Sequence, residues 1–376
     1  MRLLKLIPIL CVFSLLYVQS ANAQATLGGY GELHYNDVTS TTDGDNPAGE
    51  LDFHRFILFA GYDFNDWISF RSELELEHTL LEAGEDEGGE VALEQAYINL
   101  QFKRSFGIRA GIMLVPVGIV NPVHEPPTFN GVERPNVERF LIPSTWRESG
   151  IGVYGNTESG LSYQAYVMAG LAPNGITAED GIRGARQSAF ESSTANVAFT
   201  GRLDYNLNLN LKLGASYFVS SLSNETEGDE AQIAGADGAL FNLVEGHLIY
   251  TSGQFEARGL LVYSSVSDAP ALNDAFGNSA GEAQLGGYGE LAYDILPFFS
   301  PLSEQQLLAF GRYESYDTQF RTAGIPDNEE FNRNEYTFGL TYKPAPRVAF
   351  KADYQFLQSA GEKDVEQFNL GVGYNF

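Results

Sequence analysis

The sequence predicts an all-β chain closed into one transmembrane antiparallel β-barrel of 16 strands, with its third long loop folded into the lumen. Three observations carry this expectation. Segments that alternate apolar and polar residues recur throughout the chain, the connections between them alternate short and long, and the final segment, Phe368 to Phe376, alternates aromatic or aliphatic residues with Asn and Gly. Such a strand presents one face to lipid and the other to water, with rings placed at the headgroup level.

Residues 1–23 are set aside first. Arg2 and Lys5 form a positive start, an apolar run follows, and Ala21-Asn22-Ala23 offers a small-x-small cleavage site before Gln24. The expected units are a signal peptide over 1–23 and an outer-membrane barrel over 24–376. The only cysteine, Cys11, falls in the leader, and the apolar run continues past it through Val12, Phe13, Leu15 and Leu16, which argues against a lipid-modified start. The remaining chain has no thiol, so no disulfide framework, thiolate metal site or Cys nucleophile is expected.

Strands are expected at 25–37, 51–62, 67–79, 91–102, 106–116, 146–156, 161–171, 194–206, 209–221, 239–250, 254–267, 282–296, 305–317, 334–343, 347–358 and 365–376. The third sets Ile68, Phe70, Leu74 and Leu76 against Ser69, Arg71, Glu73, Glu75 and Glu77. The ninth sets Leu211, Leu213, Tyr217 and Val219 against Asn210, Lys212, Gly214 and Ser216. Short turns such as Asp63–Asp66 and Lys103–Ser105 alternate with long loops at about 38–50, 80–90, 117–145, 172–193, 222–238, 268–281, 318–333 and 359–364. Only Leu296–Glu304, with Pro297 and Pro301, breaks the rule for short turns. A sandwich with crossing connections has no reason to alternate this way. Beyond the leader no segment approaches the roughly 18 apolar residues of a membrane helix. A closed barrel spans without one, because closure pairs every backbone donor and acceptor.

A net charge of -27, falling to -29 once the leader's two basic residues are gone, excludes nucleic acid as an electrostatic partner. The acids cluster in loop-like stretches: Asp43, Asp45 and Glu50; Glu82, Glu85, Asp86, Glu87 and Glu90; Glu225, Glu227, Asp229 and Glu230; Asp327, Glu329 and Glu330. None has an EF-hand spacing, so they read as solvated loop tips. Leu27-Gly-Gly-Tyr-Gly-Glu-Leu33 recurs as Leu285-Gly-Gly-Tyr-Gly-Glu-Leu291, with Tyr30, Glu32, Tyr288 and Glu290 expected on the lumen side and Gly29, Gly31, Gly287 and Gly289 outside.

The longest connection, 117–145, differs from the acidic loops. It holds five prolines and the apolar residues Val123, Phe129, Val132, Val137, Phe140, Leu141 and Ile142, so it is built to pack. Folded inward, it narrows the pore and brings Glu133, Arg134, Glu138 and Arg139 there, with Arg147 just beyond.

The stretches Phe106-Gly-Ile-Arg-Ala-Gly-Ile-Met-Leu-Val-Pro-Val-Gly118, Val132-Glu-Arg-Pro-Asn-Val-Glu-Arg-Phe140 and Arg147-Glu-Ser-Gly-Ile-Gly-Val153 resemble the phosphate-selective porin O and P family. Leu51-Asp-Phe-His-Arg-Phe-Ile-Leu-Phe59 resembles its second strand, where an inward Arg, here Arg55, begins a basic wall. The resemblance is densest over the first 150 residues. It implies a trimeric sixteen-stranded channel with the third loop inside. Arg55, Arg71, Arg109, Glu133, Arg134, Glu138, Arg139 and Arg147 are the expected constriction residues, and Glu73, Glu75 and Glu77 the expected lumen acids. The family's phosphate selectivity rests on a dense Arg and Lys ladder, whereas here 20 basic residues face 49 acids, so that specificity is not carried over.

The expected function is a Gram-negative outer-membrane porin for passive diffusion of small hydrophilic solutes or ions. The expected surroundings are outer-membrane lipid and two further copies of the chain, with no cofactor, metal or nucleic acid. Two alternatives stay open. One is a phospholipase-like barrel hydrolase using His34 with Ser69 or Ser72. The other is a substrate-specific sugar or phosphate-type anion channel, for which Trp67, Trp146, Tyr30, Tyr97 and Tyr288 supply aromatic candidates.

Overall fold

The structure, a computed structural model, describes residues 24–44, 46–78, 89–222 and 238–376. The expected leader with Cys11, and the acids Asp45, Glu82 to Glu87 and Glu225 to Glu230, lie outside the described residues. Sixteen strands follow one another: β1 (Gln24–Thr41), β2 (Glu50–Asp63), β3 (Ile68–Glu77), β4 (Val91–Lys103), β5 (Phe106–Leu114), β6 (Arg147–Asn156), β7 (Leu161–Ala169), β8 (Val197–Asn206), β9 (Leu211–Ser221), β10 (Leu240–Ser252), β11 (Phe255–Val266), β12 (Ala283–Asp294), β13 (Gln306–Arg321), β14 (Asn332–Ala345), β15 (Val348–Ser359) and β16 (Val365–Asn375). Each pairs antiparallel with its chain neighbours, and β16 returns to β1 to close the barrel. Every expected strand is present. β1 and β13 continue to Thr41 and Arg321, past the expected ends at 37 and 317. Two short helices, α1 (Val137–Phe140) and α2 (Ala269–Phe276), sit in long connections.

Polarity is inverted relative to a soluble sheet. On β3 the carboxylates of Glu73 and Glu75 are buried while Leu74 between them is exposed. On β12 Tyr288 and Glu290 are buried and Leu285, Leu291 and Tyr293 exposed. On β16 Asn369 is fully buried and Leu370 exposed. A barrel with its apolar residues outside and its polar residues inside is stable only with lipid around it.

Closure explains one half of the repeated Gly-rich motif. Phe376 N donates to Gly29 O at 2.8 Å and Gly29 N to Phe376 O at 3.1 Å. A Cβ at Gly31 would lie 2.7 Å from the Tyr374 hydroxyl, and one at Gly29 would lie 3.0 Å from the Phe376 ring. These two outward glycines leave room for the terminal rings to lie over the seam.

Candidate functional site

Segment 115–146, between β5 and β6, is largely buried and held by side chains from much of the sheet. Side chains of the strands bond its backbone, as acceptors at two N–H groups and as a donor at one carbonyl. Val132 N donates to Asp353 Oδ2 at 2.6 Å and Val137 N to Glu314 Oε2 at 3.0 Å. Arg202 Nη1 donates to Gly118 O at 2.5 Å. Side chains add Asn130 to Glu290 at 3.0 Å, Asn136 to Glu335 at 2.8 Å and Asn36 to Glu133 at 2.9 Å. Lys351 Nζ sits 3.6 Å from the centroid of the Phe129 ring. A Cβ at Gly373 would stand 2.2 Å from Pro126 Cβ, and one at Gly371 would stand 3.1 Å from Val132. With His124 against Glu73 and Glu94, the segment reaches β1, β3, β4, β8 and every strand from β12 to β16.

Glycine alternates with larger residues at the end of β16. On β16 the reason is steric: Gly371 and Gly373 face this segment, and a side chain there would push it away. An apolar core backs its other side. Met113, Val115, Val117, Leu141, Ile142 and Trp146 pack with Phe218, Phe241 and Leu272. Trp146 is fully buried, its ring 4.5 Å from that of Phe218. It is a packing residue, which removes it from the aromatic candidates for sugar. Trp67 is half exposed and stacks on Phe102 near a short turn.

One cavity of about 470 Å3 gathers many of the expected constriction residues. Arg55, Glu77, Glu133, Arg134 and Arg139 line it, joined by Arg183 from the loop 170–196. Arg55 is buried and its charge is spent locally, with carboxylate oxygens of Glu32 at 2.7 Å, Glu75 at 3.1 Å and Glu77 at 3.6 Å. Glu133 accepts from Asn36 and lies 3.2 Å from His34 Nδ1. Burial opposes its ionisation, but His34 and Asn36 outweigh this and hold its carboxyl at about 2. Arg134 donates to His124 O at 3.2 Å. Arg139 is exposed, and among the described residues neither it nor Arg183 has a carboxylate within ion-pair distance. Burial, and then the guanidinium groups of Arg186, Arg139, Arg134 and Arg55, pull Arg183 down to about 10, still charged at neutral pH.

Four other expected constriction residues lie elsewhere. Glu138 is fully buried: Tyr288 donates to its Oε1 at 2.7 Å and Val120 N to its Oε2 at 2.7 Å. It braces the segment instead of lining a passage, because burial left it two fixed donors and no water. Arg71 pairs with Asp63 at 2.7 Å, and Arg109 donates to Asn99 at 2.8 Å with its guanidinium over the rings of Tyr97 and Tyr154. Arg71, Asp63, Asn99 and Tyr154 share a separate cavity beside the turn 64–67. Arg147 is buried with Nη1 3.6 Å from Glu94. Of the lumen acids, Glu73 and Glu75 are deeply buried and Glu77 is partly open.

The hydrolase candidates are not assembled. His34 contacts Glu32 and Glu133, while the Ser72 hydroxyl donates to Ala60 O. The residue sequence reasoning missed is Arg183. Its signal was a pair of arginines, Arg183 and Arg186, in a loop of an otherwise acidic chain.

Three comparisons bear on this architecture. The family described as phosphate-selective porin O and P matches residues 28–367. An uncharacterised protein of Aquifex aeolicus is 38% identical over 371 residues, covering 93% of this chain and 80% of that protein. Among solved structures, the anion-selective porin from Comamonas acidovorans has a TM-score of 0.61 at 13% identity, covering 94% of this chain and 100% of the other. Salmonella typhi OmpF, solved with daunomycin, has a TM-score of 0.61 at 14% identity, covering 94% and 97%. At such identities these two share the fold alone.

Proposed function

Because this chain belongs to the phosphate-selective porin O and P family, we propose that it is a Gram-negative outer-membrane porin whose segment 115–146 lies across the lumen and sets the aperture. Small hydrophilic solutes and ions pass by diffusion, and the chain is a channel, not an enzyme. The observation that carries the reading is the grip of one segment by nine strands of a closed barrel through their buried faces.

The aperture carries an asymmetric field. Arg134, Arg139 and Arg183 line one cavity with Glu32, Glu77 and Glu133, and the acids are matched by Arg55, His34 and Asn36, whereas among the described residues Arg139 and Arg183 are not matched. A charge without a nearby opposite projects its field into the water. This favours anions at the narrow point even though the chain as a whole is acidic, and it is the specific ground for a phosphate-type second reading. Three barrels assembling in the membrane, and removal of residues 1–23 on export, belong to the same proposal. Planar-bilayer recording tests it. The expected result is discrete conductance steps with a reversal potential on the anion side in a KCl gradient. Membranes that stay sealed at saturating protein would remove the channel, and cation preference would remove the basic constriction. Native mass measurement in detergent checks for three copies.

A further inference from the structure

Beneath segment 115–146, away from the 470 Å3 cavity, three buried groups converge: His124 from the segment, Glu73 from β3 and Glu94 from β4. His124 Nε2 stands 3.5 Å from Glu73 Oε1 and 3.4 Å from Glu94 Oε2. We propose that these three side chains bind one divalent transition-metal ion of the zinc class, which fastens the segment to the barrel wall.

The distances favour a shared ion over direct hydrogen bonds. A charge-assisted N–H···O bond is about 2.7–2.9 Å long, well short of both separations. Tetrahedral ligands at about 2.1 Å from a common metal stand about 3.4 Å apart, which is what is found. The second observation is the set of atoms left over. His124 Nε2, Glu73 Oε1 and both carboxylate oxygens of Glu94 are buried without a hydrogen-bond partner, as is the hydroxyl of Tyr30. The Tyr30 ring lies edge-on to the His124 imidazole, 6.1 Å between centroids. Buried polar atoms without a hydrogen bond are costly, and here several meet at one point.

The outer contacts are those of a ligand set. His124 Nδ1 lies 3.0 Å from Asn121 O, so Nδ1 carries the proton and Nε2 offers its lone pair. The Gln95 amide donates to Glu73 Oε2, leaving Oε1 for the site. Arg147 Nη1 is 3.6 Å from Glu94 Oε1. Two carboxylates and a neutral imidazole match the charge of a divalent ion and its preference for one nitrogen and oxygens. A cavity of about 460 Å3 lined by Glu73 and His124 gives an entry path and water for a fourth position. A proton is the competitor: burial disfavours the imidazolium, yet Glu73 and Glu94 outweigh it and push His124 up to about 10. Metal binding must therefore release that proton.

A second cluster, Asp52 with His54 and His78, is weaker. Arg55 Nη2 lies 2.9 Å from His54 Nε2 and so donates to it, which leaves the proton on Nδ1, facing Asp52. That trio is satisfied by hydrogen bonds.

The test uses the full-length protein in detergent, stripped with a chelator and titrated with Co2+ in millimolar Ca2+, which competes for weak binding to carboxylates elsewhere. One equivalent with intense tetrahedral visible bands is expected. Loss of at least a hundredfold in affinity is expected in Glu94→Gln and in His124→Gln. No visible bands, or variants that bind as the parent does, would overturn the proposal. Should the variants fail to fold, X-ray absorption on the zinc-loaded parent decides: one histidine nitrogen among oxygens supports the site, and an all-oxygen shell refutes it.

Discussion

Replacing Arg139 by Gln removes an exposed charge that no carboxylate of the described chain neutralises. The size of the effect follows from the cavity it lines. A volume of about 470 Å3 corresponds to a sphere of radius about 5 Å. At about 5 Å in water, one charge acts on a passing ion with about 0.8 kcal/mol. Screening at 0.1 M salt, with a Debye length of about 10 Å, reduces this to about 0.5 kcal/mol. Each monovalent anion is then enriched about twofold and each cation depleted as much, so the permeability ratio falls about fivefold on neutralisation. Arg139→Glu doubles the charge change and takes the ratio down about thirtyfold. The assay is the reversal potential in a tenfold KCl gradient across a planar bilayer, with single-channel conductance as the control for an open pore. Parent, Gln and Glu channels that conduct normally and reverse at the same potential would refute the argument, because the charge would then lie outside the ion path.

Three further outcomes are expected. Gly373→Leu drives a side chain into Pro126, costing about 1–3 kcal/mol of stability and shifting the segment; heat-dependent gel mobility and conductance noise report both. Tyr288→Phe leaves a buried Glu138 oxygen unsatisfied and costs about 1–3 kcal/mol, whereas in Glu138→Gln the amide oxygen accepts from Val120 N and the amide nitrogen donates to the Tyr288 hydroxyl, which costs less; chemical unfolding in detergent ranks them, and the reverse order would contradict the bracing role. Glu133 is held down at about 2, so its contribution is fully present above the ordinary carboxyl value of 4.5, declines progressively below it and is gone once pH has fallen through about 2. Melting curves at pH 7 and pH 5.5 then show the same difference between parent and Glu133→Gln and a smaller one at pH 3, and a difference already gone at pH 5.5 would show that the carboxylate is not held in this way.

The strands were legible because each has one face in lipid and one in water, and period two survives every detail of packing. β3 and β16 were read residue by residue from alternation alone. The special character of 117–145 was legible for a different reason: prolines beside apolar residues make sense only in a segment that packs. Pairings across the barrel were not legible. Asp353 meets Val132, and Glu314 meets Val137, across 221 and 177 residues of chain, and nothing local in sequence encodes the register that brings them together. The same limit hid the fate of Glu138. Its charge suggested a wet position, but Tyr288, 150 residues away, turns it into a buried brace. His124 carries no local signal in sequence, and only the fold brings two carboxylates, from β3 and β4, to it.

The many anchors of segment 115–146 have a consequence for permeation. A tether fixed at one end can swing, but a strut bolted at so many points around its housing cannot leave without tearing several buried bonds at once. With the aperture set by this segment as proposed, current through this protein should rise in proportion to voltage and show little flicker.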